Sequence, residues 1–289
     1  MLTIFTDSDT DMTLKKANEL GIRLISMPYS IESDLVYPYE DWTEFDAHTF
    51  YDKLRSGIIP NTSSISEERY INYFEPEFKK GNDIFYAHFS RAMTTTFNAM
   101  DSAVKKLLAK YPDRKFYAVD TKGITVLSYL MVLEIVDKLK SGESPESVKK
   151  WAESETGHYT VYFFADDLKF FAHSGRVSGL AGTMGTILGI RPIIFINDEG
   201  KMVNTGKEKG RMKALTTLVS KVEELGDDLE HHKIILASAD APELVSAMRS
   251  MLTEKFGNKL DIEEVSVNPT AGSHCGPDTV GIAFHAKHR

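Results

Sequence analysis

The sequence predicts an α/β protein of two domains, and three observations predict it. Short runs rich in β-branched and aromatic residues alternate with stretches of helical period, the pattern of a mostly parallel sheet covered by helices. The chain has 289 residues, beyond the usual single-domain size of roughly 100 to 150. Apolar residues make up 42% and charged residues 26%, the balance of a globular chain with a sizeable core.

The elements follow in order. LTIFT (2–6) reads as a first strand, DMTLKKANELG as a helix ending at Gly21, and IRLISMPYSI (22–31) as a second strand. DIFYAHF (83–89) is a third strand, followed by a helix that puts Ala99, Met100, Ala103, Val104, Leu107 and Leu108 on one face. KFYAVD (115–120) is a fourth. ITVLSYLMVLEIVDKL is a helix apolar enough to be largely buried, and SGESPESVKKWAESE gives another with a Ser/Pro start. A boundary at residue 155 then separates an N-terminal domain, 1–155, from a C-terminal α/β domain, 156–289. In the latter HYTVYFFA and RPIIFIN are strands, and NDEG (197–200) is a hairpin turn leading into KMVNTG. A helix bearing Leu215, Leu218, Val219, Val222 and Leu225, the strand KIILASA, a helix with Val245, Met248 and Leu252, and the strands LDIEEVSV and TVGIAFHA complete it.

Composition narrows the function. Lysine and arginine number 34 against 42 acidic residues, and a net charge of −8 repels a nucleic-acid backbone. The single cysteine makes no internal disulfide and belongs to no zinc-spaced cluster, which fits a reducing, cytoplasmic setting. The start MLTIFTDSDTD lacks the basic end and apolar run of a signal peptide. Apolar runs such as VYFFA fall far short of the ~20 residues of a spanning helix.

Five segments carry possible chemistry. DSDTD (7–11) lacks the glycine and glutamate of a calcium loop; Asp7 and Asp9 suit a magnesium-dependent phosphatase, or Asp9 to Asp11 cap the following helix. NTSSIS (61–66) and SRAMTTT (90–96) are hydroxyl-rich turns ahead of helices, and two such turns in one sheet would share the carboxyl edge where open α/β sheets bind ligands. Ser64 or Ser66 is the plain N-cap of the helix after the first turn. HSGRVSG (173–179) offers Arg176 to an anion. NPTAGSHCGPDTVGIAF (268–284) places His274 and Cys275 between Gly272, Gly276 and Gly281, which let backbone approach a bound group closely while His274 donates to an oxygen anion. A Ser/His acyl hydrolase using Ser90 or Thr94 with His274 is a further alternative, without the usual Gly-x-Ser-x-Gly elbow.

The order of these motifs resembles the DegV family over nearly the whole chain: TDSD near the start, TSSIS, SRAMTTTFNA, DTKGITVLS, HSGRVSG, IRPII, KEKGRMKAL and AGSHCGPDTVGIAF. The resemblance implies a DegV-like fold, a mostly parallel N-terminal sheet and a smaller C-terminal domain, with a long-chain fatty acid in a tunnel between them. It implies that Thr62, Ser63, Thr94, Thr95 and His274 meet the carboxylate, with Ser90, Arg176, Arg211 and Gly272 in secondary places. It further implies a separate fatty acid kinase subunit that phosphorylates the presented carboxylate. No cofactor and no resident metal are expected, since neither a Walker loop nor a Rossmann fingerprint is present. Cys275 is expected to be an inert wall residue.

Overall fold

The computed structural model describes residues 1–178 and 189–289; the apolar stretch after HSGRVSG lies outside the described residues. In the N-terminal half the order is β1 (Leu2–Asp7), α1 (Leu14–Glu19), β2 (Arg23–Ile25), β3 (Tyr29–Ile31), β4 (Asp34–Val36), α2 (Ala47–Arg55), β5 (Asn61–Thr62), α3 (Glu67–Lys79), β6 (Asp83–His88), α4 (Thr96–Lys110), β7 (Phe116–Asp120), α5 (Val126–Lys140) and α6 (Pro145–Glu155). Four of these strands form a parallel sheet in the order β2-β1-β6-β7. The chain leaves β1 for β2 on one side and later places β6 on the other. The two connections therefore diverge beyond the carboxyl ends of β1 and β6, where a doubly wound sheet opens a crevice.

The C-terminal half contributes β8 (Tyr159–Phe164), α7 (Lys169–Ser174), β9 (Val177–Ser178), β10 (Ile190–Ile196), β11 (Met202–Lys209), α8 (Arg211–Leu225), β12 (Ile234–Ser238), α9 (Pro242–Phe256), β13 (Ile262–Ser266), α10 (Pro269–Cys275) and β14 (Val280–His285). They build a seven-stranded sheet in the order β13-β12-β14-β8-β10-β11-β9, mostly antiparallel at its centre. Its two faces alternate as strands require. Tyr162 and Phe164 of β8 sit in a core under α8 and α9, while Val161 faces a second core shared with the N-terminal half. Helix α5 fills the middle of that shared core. It is buried without interruption from Val126 to Leu133 and packs on β8, β12 and β14, so its run of apolar residues serves two sheets at once.

Two sequence expectations need correction. The stretch 22–31 is two strands: β2 pairs with β1, whereas β3 belongs to a separate three-stranded sheet of order β4-β3-β5. The ladder stops because Ser26 N–H donates to the Tyr73 hydroxyl (3.1 Å), Met27 N–H to Ser8 Oγ (2.9 Å), and Pro28 has no N–H. As a result, the NTSSIS segment begins with β5 and shares no sheet with the SRAMTTT turn after β6. The second correction concerns helix capping. Asp7 caps only a short 3-10 turn, Ser8–Thr10, while α1 is capped by Thr13, whose hydroxyl accepts from Lys16 N–H.

The NDEG hairpin forms as expected, and Gly200 closes it at φ +77°. Its carbonyl accepts from Ser90 Oγ (2.8 Å), pinning the hairpin to the loop after β6. A Cβ at Gly200 would lie 2.2 Å from that Oγ and 3.2 Å from the Lys122 Cα. Gly200→Ala is therefore expected to lower the unfolding free energy by roughly 2 kcal/mol or more in a denaturant titration, from left-handed strain and overpacking together.

Candidate functional site

An apolar cavity lies where the shared core meets the C-terminal sheet. Its volume is about 50 Å³, room for a few small groups. One wall is the start of α5 with Ile124, and the floor is Val161 and Phe163 of β8 with Gly281 of β14. Gly281 keeps that floor low, because a Cβ there would stand 2.9 Å from the Cβ of Phe163. The polar end belongs to α10, which turns His274 and Cys275 toward the cavity. Asn268 starts this helix by accepting from Ala271 N–H (2.9 Å), and Pro269 takes the first helical position, so a helix of seven residues has a fixed origin.

At that polar end Thr62 of β5 meets His274 of α10, Oγ1 to Nε2, at 3.0 Å. Burial, with Arg176 and His173 nearby, pushes His274 down to about 3, so the ring is neutral at working pH. A hydroxyl and a neutral imidazole hold two polar hydrogens, and their mutual bond uses one. If Nε2 accepts, Nδ1–H is left over; if Nε2–H donates, the threonine hydrogen is left over. Nδ1 is buried and meets no partner among the described residues. The pair thus presents one unspent donor beside an apolar cavity, an arrangement suited to a ligand oxygen.

The other expected residues have partners of their own. Ser63 is exposed, and its N–H donates to Pro28 O (3.3 Å). The two hydroxyl-rich turns meet through side chains: Ser64 Oγ lies 3.5 Å from Thr95 Oγ1, and Ile65 N–H donates to Thr96 Oγ1 (3.1 Å). Thr94 Oγ1 accepts from Thr96 N–H (3.2 Å). Ser66, from the first turn, caps α3 through Arg69 N–H (3.3 Å). Arg176 is exposed and donates to Ser174 O (2.7 Å). Arg211 spans Asp166, with two contacts of 2.8 Å, and Asp278 at 3.0 Å. Asp278 also accepts from Arg55 (2.7 Å), so its charge is met by two guanidinium groups. Gly272 and Gly276 are close to side chains: a Cβ on the first would meet the Tyr51 hydroxyl at 2.5 Å, and on the second Phe170 at 2.2 Å. Burial pushes the Cys275 thiol up to about 12, which keeps it protonated.

Of the groups of the two enzymatic alternatives, Ser90 and Asp7 are engaged elsewhere. Ser90 Oγ donates to Gly200 O and accepts from Ala92 N–H, while His274 faces Thr62. Asp7 accepts from Asp9 N–H (3.1 Å) on one oxygen, and from the Tyr86 hydroxyl (3.1 Å) and Phe89 N–H (3.2 Å) on the other. Burial raises both Asp7 and Asp11 to about 7 and moves Asp9 upward as well, Asp9 being further raised by its acidic neighbours.

Sequence reasoning missed the apolar floor, because Val161 and Phe163 read only as ordinary strand residues, although Gly281 beside them was marked for close approach. It also missed Asp11 as a partner of Asn268, whose N–H and side-chain amide reach one Asp11 oxygen at 2.8 and 2.7 Å. The alternation Asp7, Asp9, Asp11 was the available signal, and the partner lies 257 residues away.

Comparison with known proteins gives the following. A family model described as an uncharacterised protein of the DegV family matches residues 1–287. A DegV domain-containing protein of Clostridium perfringens is 32% identical over 281 residues, covering 97% of this chain and 96% of the relative. Among solved structures, a fatty-acid-binding DegV family protein from Thermus thermophilus superposes with a TM-score of 0.87 at 22% identity, covering 99% of both chains. A stearic acid-binding protein from Eubacterium ventriosum gives 0.87 at 20% identity with the same coverage.

The acidic loop generates a pH prediction. Native Asp9 holds its proton to a higher pH than the unfolded chain, so its contribution to stability is complete below about pH 4 and is lost as pH rises. Its Oδ1 is buried with no partner among the described residues. Asp9→Asn should therefore raise Tm by about 3 °C at pH 8 and leave it nearly unchanged at pH 4, as read by thermal unfolding. A lower Tm at pH 8 would contradict this account of the loop.

Proposed function

This chain belongs to the DegV family, and on that premise we propose that it is a carrier: it binds a long-chain fatty acid in the apolar cavity and presents the carboxylate to a kinase subunit. The observation that carries the reading is the unspent donor of the Thr62–His274 pair beside that cavity. The fatty acids named for solved relatives of the same fold support the choice of ligand.

Energetics agree. The cavity must widen to admit a chain of about fifteen methylenes; each contributes roughly 0.8 kcal/mol on burial, on the order of 10 kcal/mol before the costs of opening and ordering. The carboxylate loses several kcal/mol of hydration, which charge-assisted hydrogen bonds of roughly 1.5 to 3 kcal/mol each offset. His274 and Thr62 supply the deepest donor. Ser63, Thr94 and Thr95 are proposed to complete the cradle, with Ser90 and Gly272 shaping its walls and Arg176 and Arg211 at the approach. Ser63 and Thr95 are exposed, so a carboxylate beside them is within reach of a partner's active site. The proposed domains, 1–155 and 156–289, both line the cavity through Thr125 and Phe163. Among the described residues no helix is long and apolar enough to cross a membrane; a cytoplasmic carrier that supplies substrate to a nucleotide-binding partner completes the proposal.

Mass spectrometry of the denatured protein is expected to release a long-chain fatty acid. His274→Ala should weaken retention by on the order of tenfold, the worth of one charge-assisted hydrogen bond, while Cys275→Ala changes retention little. No released lipid and no uptake of added palmitate, or equal effects of the two substitutions, would contradict the assignment.

A further inference from the structure

The acidic loop after β1 is not among the residues lining the cavity, yet it is tied to both sides of the Thr62–His274 pair. At its far end Asp11, buried and in the left-handed region at φ +57°, accepts on one oxygen from the backbone and the side chain of Asn268. Asn268 is the residue that caps α10, and α10 carries His274. At its near end Ser8 Oγ accepts from Met27 N–H (2.9 Å). The Met27 carbonyl accepts from Thr270 Oγ1 of α10 (2.7 Å), and the next carbonyl, Pro28 O, accepts from Ser63 N–H, one residue beyond Thr62. The loop is itself braced, by Thr10 Oγ1 on Asp7 O (2.7 Å) and by Thr125 N–H on Asp9 O (2.7 Å).

The backbone on either side of the Thr62–His274 bond is therefore referred to one short, buried loop. That bond spans 3.0 Å between residues 212 positions apart, and a relative slip of 1 Å, roughly the difference between a hydrogen bond and none, would abolish it. We infer that Asp11, acting through Asn268, is a positioning residue: it sets the origin of α10 and thereby aims the spare donor of the Thr62–His274 pair at the ligand oxygen. This rests on the fatty-acid reading for what the donor meets, but the positioning itself belongs to the ligand-free protein. Asn268 has no second acidic partner among the described residues, and its two N–H groups converge on a single oxygen, so the origin of α10 is tied to that oxygen.

The test uses the full chain with ¹⁵N-labelled histidine. In wild type the His274 ring should show one tautomer. Asp11→Ala should give a mixed or exchange-broadened ring signal and weaken palmitate binding by on the order of tenfold. Asp11→Asn, whose amide oxygen still accepts both N–H groups, should restore the ring signal and most of the affinity. In a His274→Ala background Asp11→Ala should have little further effect on palmitate affinity, although it still lowers Tm. Should Asp11→Ala fold poorly, Asn268→Ala makes the same comparison from the other side of the pair. An unchanged ring signal, or affinity losses that simply add in the double variant, overturns the inference. Wild-type protein that takes up no palmitate overturns the fatty-acid reading instead, and the ligand-free ring signal still decides the role of Asp11.

Discussion

A neutral imidazole and a hydroxyl, bonded to each other at the end of an apolar cavity with one hydrogen left over, form the constraint on which the rest of the structure depends. Burial holds His274 down to about 3. An imidazolium there would be costly without a fixed counter-charge, and the proposed ligand supplies the negative charge only when it binds. The protein side of the site therefore offers directed donors rather than a permanent ion pair. Under the proposed function, that choice leaves affinity to the apolar chain and orientation to the hydrogen bonds of the head group.

The fold serves this pair by bringing two sheets against one helix. Helix α5 leaves the carboxyl edge of the parallel sheet and runs across the C-terminal sheet, so its start forms part of the cavity wall while its length joins the halves. The edge of the parallel sheet is where diverging connections leave a crevice, and the loops after β1 and β6 occupy it. Their polar side chains are largely consumed in tying segments together: Ser90 to the hairpin, Ser8 to Met27, Asp11 to Asn268. Hydroxyl-rich turns at a sheet edge are thus partly architecture.

Local elements were legible in the sequence, because local chemistry decides them. Gly21 ends α1 at φ +62°, NDEG makes the hairpin, and the apolar face of α4 is read from its period. What lay beyond reading was set by distant partners. Nothing in IRLISMPYSI announces that Tyr73 and Ser8 will take the amides of Ser26 and Met27 and stop the strand. The family resemblance named Thr62 and His274 together as carboxylate partners, but their bond to each other, across a sequence separation of 212, leaves no local trace. The acidic alternation of the first loop was visible, but its meaning was not: carboxylates in a row suggest metal or caps, whereas the one at position 11 serves an asparagine near the other end of the chain.

The most direct measurement of the central claim is the distance from a bound fatty acid's carboxyl carbon to histidine nitrogen, by ¹³C–¹⁵N dipolar coupling between [1-¹³C]palmitate and ¹⁵N-imidazole-labelled protein. A hydrogen bond from the pair, direct or through Thr62, places that carbon within about 4 to 5 Å of the His274 ring. Coupling to one histidine, absent in a His274→Gln protein, is the predicted result. Palmitate bound with its carboxyl carbon remote from every histidine nitrogen would contradict the account.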